Sequence, residues 1–95
     1  MQTLVIYDIS DDKKRQKLRE HLLNYGLRGI QYSGLLGSVE TNDRLILVNE
    51  VGKFISSETD SIYVVPLCDR CARLCKIVSR SGALEIYDRK VEYVG

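Results

Sequence analysis

The chain has 95 residues, enough for one domain and too few for a second core. Its 44% hydrophobic and 28% charged residues are ordinary for a soluble globular protein, and a net charge of +1 excludes a partner chosen by overall charge alone. No stretch approaches the roughly 20 apolar residues of a membrane span, so no membrane partner is expected. The N-terminus has no signal-peptide layout, and three cysteines leave one unpaired in any disulfide framework. A cytoplasmic, reducing setting is therefore expected.

Residues 3–9 read as a strand. Leu4, Val5, Ile6, Tyr7 and Ile9 make an almost continuous apolar run, which predicts a central strand covered on both sides. Asp8 shares a face with Leu4 and Ile6 at the strand's end. Ser10 is the predicted N-cap of the next helix, and Asp11 and Asp12 suit the positive end of its dipole. Leu18, Leu22 and Tyr25, at i, i+4 and i+7, stripe a helix of about four turns, and Gly26 fits its C′ position. Residues 29–40 predict two short strands with a turn or kink near Ser33 and Gly34.

Thr41 or Asn42 is the expected cap of a second helix over residues 43–56, with the apolar set Leu45, Ile46, Val48, Val51, Phe54 and Ile55. Gly52 weakens it by about 1 kcal/mol relative to Ala. Residues 56–61 form a polar loop. Residues 62–67 predict a strand that ends or bends at Pro66. Residues 68–75 predict a short turn or helix, and "KIVS" and "ALEIYD" two further short strands. The order predicts an α+β fold, a ferredoxin-like βαββαβ sandwich with an additional C-terminal strand segment at about 76–95. Both helices lie on one face of such a sheet. A second copy of the chain is the expected cover for the other face, making a homodimer.

Asp8 has two readings. A carboxylate ending a central strand is a strand-end cap of the Ser10 turn, or a ligand for a hard cation such as Mg²⁺. One Asp per chain is thin for the second role, and two copies across a two-fold axis improve it. Lys13, Lys14, Arg15, Lys17 and Arg19 make either a solvated helix face or a phosphate-contact surface. Lys14 and Lys17 share one side of that helix, Arg15 and Arg19 another. "CDRCARLC" spaces Cys68, Cys71 and Cys75 as C-x₂-C-x₃-C, which lacks a fourth thiolate for a closed zinc site. The expectation is small buried residues on a turn. His21 reads as a structural histidine. Tyr7 and Tyr32 are either base-stacking rings or ordinary core aromatics. No nucleophile elbow or phosphate loop appears.

The succession "VIYDISDDKKRQKL", "YGLRGIQYS" and "VVPLCDRC" resembles the CRISPR-associated Cas2 family over nearly the whole chain. The resemblance implies a ferredoxin-like homodimer whose C-terminal strand extends the partner's sheet. It implies Mg²⁺- or Mn²⁺-dependent endonuclease activity on RNA or double-stranded DNA in some members. It also implies an adaptor role in spacer acquisition, held between CRISPR integrase subunits. Carried over by position, Asp8 is the catalytic, metal-binding carboxylate and Tyr7 the tyrosine beside it. Arg15 and Lys17 match basic positions of the following helix, and Ser33 the serine of the Gln-Tyr-Ser segment. Lys13, Lys14 and Arg28 complete the expected nucleic-acid-binding set. Two positions depart from the family pattern: Gly29 stands where Arg is frequent, and Gly34–Leu35 where Val-Phe is common. Rival expectations are a non-catalytic DNA-binding adaptor, a toxin ribonuclease of the virulence-associated protein D type, and a module that binds a small ligand.

Overall fold

Alternation along the first strand decides which side of the sheet becomes the core. In the computed structural model, which describes residues 1–78 and 93–94, strand β1 spans Gln2–Asp8. Thr3, Val5 and Tyr7 point to one side and are buried, and Ile9 continues their core just past the strand. Leu4 is half-buried, Ile6 is 38% exposed and Asp8 is exposed on the opposite side. The strand is internal, as its apolar run predicts. Within one chain, however, only one of its faces is well covered.

Helix α1 (Asp12–Asn24) starts one residue later than expected. Asp11, not Ser10, is its N-cap, accepting the Lys14 N–H on Oδ1 at 2.9 Å. The expected stripe is present: Leu18 and Leu22 are fully buried and Tyr25 lies against the core. Gly26 follows with φ +88°, a left-handed conformation that favours glycine, and so ends the helix cleanly. Strands β2 (Arg28–Gln31) and β3 (Gly34–Ser38) form a hairpin turning at Tyr32 and Ser33. Its register shifts between Gly29 and Gln31.

Helix α2 spans Thr41–Val51 and stops at Gly52, continuing as a single 3₁₀ turn at Gly52–Phe54. Glu40 occupies the N-cap without a side-chain bond, so neither Thr41 nor Asn42 caps it. The apolar face also differs from the expected one. Leu47 is fully buried with Val51 and Phe54, whereas Leu45, Ile46, Val48 and Ile55 remain 40–58% exposed. The run "LILV" presents apolar residues all round one turn, so its own period does not choose a face. The sheet does, by contacting only the side carrying Leu47 and Val51.

Strand β4 (Ser61–Leu67) lies at the sheet edge, in the order β2-β3-β1-β4 with every pairing antiparallel. Pro66 sits within it, opposite Thr3, rather than ending it. An edge strand tolerates the missing N–H. Helix α3 (Asp69–Leu74) follows, then β5 (Ile77–Val78), which pairs in parallel with β6 (Tyr93–Val94). The "ALEIYD" strand lies outside the described residues, as does most of the segment expected to reach a partner.

The four-stranded order and the flanking helices make the expected ferredoxin-like α+β fold. Its core joins Val5, Tyr7, Ile9, Leu18, Leu22, Leu27, Leu35, Val39, Leu47, Val51 and Phe54. Each fully buried Leu or Val among them stabilises the fold by about 1.5–3 kcal/mol. On the other face of the sheet, Ile6, Tyr63 and Val65 remain 37–62% exposed.

Candidate nucleic-acid and metal site

Asp8 is the last residue of β1, paired across the ladder with Ser61 of β4. Its side chain makes no hydrogen bond or ion pair among the described residues. The capping role that Asp8 was one candidate for belongs to Asp60. Asp60 Oδ1 accepts the Ser10 N–H and hydroxyl, each at 2.9 Å. Its Oδ2 accepts the Ser56 and Ser57 N–H groups at 3.0 and 3.1 Å. These donors, the Ser56 N–H foremost, hold the Asp60 carboxyl far below the usual carboxylate range. Asp60 thus fastens the exit of β1 to the loop before β4, and the Asp8 carboxylate is left free beside it.

An exposed, unpartnered carboxylate is a fitting donor for a hard cation, which takes oxygen ligands. It is one donor only. Among the described residues, no three His, Cys, Asp or Glu side chains converge to hold a metal ion. A single protomer therefore offers one carboxylate to such a cation, and the rest of an oxygen shell would have to be water, substrate or a second copy.

Tyr7 faces the other way. Its ring is 2% exposed in the core, so the hydroxyl is the part that reaches the surface groove between α1 and the β2–β3 hairpin. That hydroxyl donates to the Tyr32 carbonyl at 3.2 Å. Ser33 holds the tyrosine through its backbone, its carbonyl accepting the Tyr7 N–H at 3.0 Å. Arg15 bends over the end of β1. It donates to the Ile9 carbonyl at 2.9 Å, pairs with Asp12, and sets its guanidinium carbon 6.0 Å from the Tyr32 ring centroid. Arg19, which the sequence placed on the cationic helix face but outside the expected nucleic-acid-binding set, donates to the Tyr7 hydroxyl at 3.4 Å and the Tyr32 carbonyl at 3.3 Å. The i, i+4 relation of Arg15 and Arg19 was the sequence signal for placing both at this groove.

Lys14 and Lys17 lie on the other side of α1, lining a shallow depression with Glu20, His21 and Lys53. Lys13 is exposed. Arg28 pairs with Leu36 and Gly29 with Leu35, so Arg28 belongs to the face shared with Leu4, opposite to the groove. The structure therefore gathers Tyr7 and Arg15 at one groove, with Ser33 bonded to Tyr7 through its backbone. Lys13, Lys14, Lys17 and Arg28 are spread over other surfaces.

His21 is half-buried, with Nε2 3.2 Å from Glu50 Oε1. The same carboxylate accepts the Tyr25 hydroxyl. That bond pushes the Tyr25 phenol up to about 12 and holds Glu50 below its ordinary value. The cluster joins α1 to α2 and is structural. Cys68 and Cys71 are exposed and Cys75 half-buried, contrary to the expected burial, because Cys68 and Cys75 cap the two ends of α3 and the helix buries Ala72 rather than Cys71. Cys68 Sγ caps α3 by accepting the Cys71 N–H at 3.4 Å, which lowers the Cys68 thiol, while the Cys71 thiol is raised by its neighbour.

The family model described as CRISPR associated protein Cas2 matches residues 1–74. A protein of Archaeoglobus fulgidus named CRISPR-associated endoribonuclease Cas2 1 is 41% identical over 91 residues, 96% of this chain and 97% of its own. One of Desulforudis audaxviator, named CRISPR-associated endoribonuclease Cas2, is 35% identical over 97 residues, 100% of this chain and 92% of its own. Among solved structures, that of Streptococcus pyogenes Cas2 at pH 6.5 superposes with a TM-score of 0.63 at 25% identity, covering 72% of this chain and 87% of that one. No described helix is long and apolar enough to cross a membrane.

Proposed function

The chain belongs to the CRISPR-associated Cas2 family, and from that premise we propose that it is a homodimeric, divalent-metal-dependent endonuclease acting on RNA or double-stranded DNA. The observation that carries this reading is the free Asp8 carboxylate at the exit of β1, on the face that one chain leaves uncovered. Leu4 and Ile6 precede it on that face, and Tyr63 and Val65 flank them from β4. Joining two copies there removes the exposed apolar surface from water and brings two Asp8 carboxylates to one seam. Relatives named as endoribonucleases support phosphodiester cleavage.

Two Asp8 side chains would hold one Mg²⁺ or Mn²⁺, which when bound supplies Lewis acidity and a water of lowered pKa. The chain's own residues bind and orient the substrate. Arg15, on the groove side of β1, neutralises phosphate charge along the strand beyond the metal-held group, and the α1 lysines Lys13, Lys14 and Lys17 extend the cationic surface. In the same reading the dimer serves spacer acquisition beside a CRISPR integrase subunit, with the α1 surface presented to DNA.

The test is incubation of pure protein with labelled RNA and duplex DNA, with and without Mg²⁺, beside Asp8→Asn. Cleavage by the natural chain only with the divalent ion, abolished in Asp8→Asn with the dimer intact, is the expected outcome. Equal cleavage by Asp8→Asn overturns the assignment.

A further inference from the structure

The groove between α1 and the β2–β3 hairpin opens on the opposite side of β1 from Asp8, because Tyr7 and Asp8 are consecutive strand residues. Its floor rests on an absence. Gly29 has no side chain where β2 passes beneath α1, and the Arg19 guanidinium fills the space. A Cβ at position 29 would stand 2.2 Å from Arg19 Nη2 and 3.3 Å from its Cζ. Seated there, Arg19 reaches only the Tyr32 carbonyl and the Tyr7 hydroxyl, at 3.3 and 3.4 Å. Both acceptors are neutral and both bonds are long. No carboxylate among the described residues pairs with it. A guanidinium offers five N–H donors and a permanent charge, so most of this one's capacity is unspent.

The walls are complementary to one kind of ligand. Arg15 stands one turn before Arg19 at the same opening. Tyr32, at the hairpin tip, is 79% exposed, an aromatic face open to solvent. Gln16, Gln31, Ile30 and Asp12 complete the lining, Asp12 being the partner of Arg15, so that Arg19 is the cation left without a carboxylate among the described residues; the groove has a volume of about 500 Å³, within the roughly 300–1,000 Å³ of small-ligand sites. Cationic forks suit phosphate oxygens, an exposed ring suits the face of a base, and carboxamides suit a base edge.

We propose that this groove seats one unpaired nucleotide of a single-stranded nucleic acid, its phosphate against Arg15 and Arg19 and its base on the Tyr32 ring. Gly29 is the positioning residue, holding the Arg19 guanidinium in place by leaving room for it. The inference rests on the reading of the chain as a nucleic-acid-binding protein and needs no metal at Asp8. A duplex presents phosphates to the arginines but keeps its base faces stacked inside, so Tyr32 discriminates single strands from paired ones.

The test is fluorescence anisotropy of the full-length chain with a fluorescein-labelled 12-nucleotide RNA, the same sequence as DNA, and the RNA duplex. All are measured in EDTA, so that hydrolysis plays no part. Arg19→Ala is expected to weaken single-strand binding about tenfold and to flatten the salt slope by about 0.7. Gly29→Ala, whose methyl displaces the end of the flexible Arg19 side chain without removing it, should weaken it by less than Arg19→Ala and add nothing in the Arg19→Ala background. Tyr32→Ala should weaken single-strand binding about tenfold and leave duplex binding unchanged. A loss in either single-stranded arm, RNA or DNA, with the duplex unaffected in Tyr32→Ala, supports the seat. Natural-chain affinity in Arg19→Ala, additive effects of Arg19→Ala and Gly29→Ala, or equal losses for single strand and duplex in Tyr32→Ala each overturn it. Arg19→Ala removes a surface side chain, so it carries the test if circular dichroism shows that Gly29→Ala does not fold. A protein that binds single strands in EDTA yet fails to cleave with Mg²⁺ sinks the nuclease reading and leaves the groove standing. A chain that binds no single strand at low salt sinks the groove.

Discussion

Ile6→Ala tests the seam on which two Asp8 carboxylates depend. Ile6 lies two residues before Asp8 on the same face, is 38% exposed in one chain, and stands outside the main core cluster. Fully burying an isoleucine is worth about 1.5–3 kcal/mol, so removing its remaining exposure at an interface contributes roughly 0.6–1.1 kcal/mol. A two-fold axis doubles that, to about 1–2 kcal/mol for two side chains. Truncation to Ala keeps a Cβ and loses most of it, so the dimer dissociation constant should rise roughly 5- to 30-fold. Sedimentation equilibrium across a dilution series reads this directly. Metal-dependent cleavage per chain should fall at a higher protein concentration in Ile6→Ala than in the natural chain, because the site forms only in the pair. An unchanged dissociation constant, or full cleavage by a chain that sediments as a monomer, refutes the reasoning.

Leu47→Ala should cost about 2–5 kcal/mol, while Leu45→Ala, at an exposed position of the same helix, should stay within about 0.5 kcal/mol; urea unfolding of both checks which face of α2 is the core. Tyr25 titrates in the folded chain at about 12, above its ordinary 10. Its contribution is therefore complete below pH 10 and lost as pH rises toward 12, and Tyr25→Phe should flatten that alkaline decline in thermal midpoint. Asp60 has the opposite sign. Its depressed carboxyl stabilises the fold above its ordinary value of 3.8 and loses that contribution as pH falls below it. Asp60→Asn should lower the thermal midpoint at pH 7 and weaken its acid dependence, with hydrogen exchange accelerating at Ser10, Ser56 and Ser57.

Much of the architecture was legible in local pattern. Alternation placed Asp8 with Leu4 and Ile6, the Leu18–Leu22–Tyr25 stripe and Gly26 framed α1, and the turn near Ser33–Gly34 marked the hairpin. Asp8 as an end-of-strand acid next to a cationic helix, and Arg15 at the start of that helix, were legible for the same reason: both depend on neighbours in the chain. The helix caps were less so. Ser10 and Asp11 are equally good capping types, and a distant group chose between them, since Asp60, 50 residues away, takes the Ser10 N–H and hydroxyl.

Chain order and period thus determined the elements, their sequence and the face on which Asp8 emerges. Tertiary structure decided which side of α2 is buried, which acid ties down the end of β1, and where Arg19 rests. The reason is physical. Periodicity reports the geometry of one element with itself, repeated every two or 3.6 residues. The space over Gly29 exists only when β2 is laid beneath α1, and the unspent guanidinium that fills it depends on contacts between elements that no local period encodes.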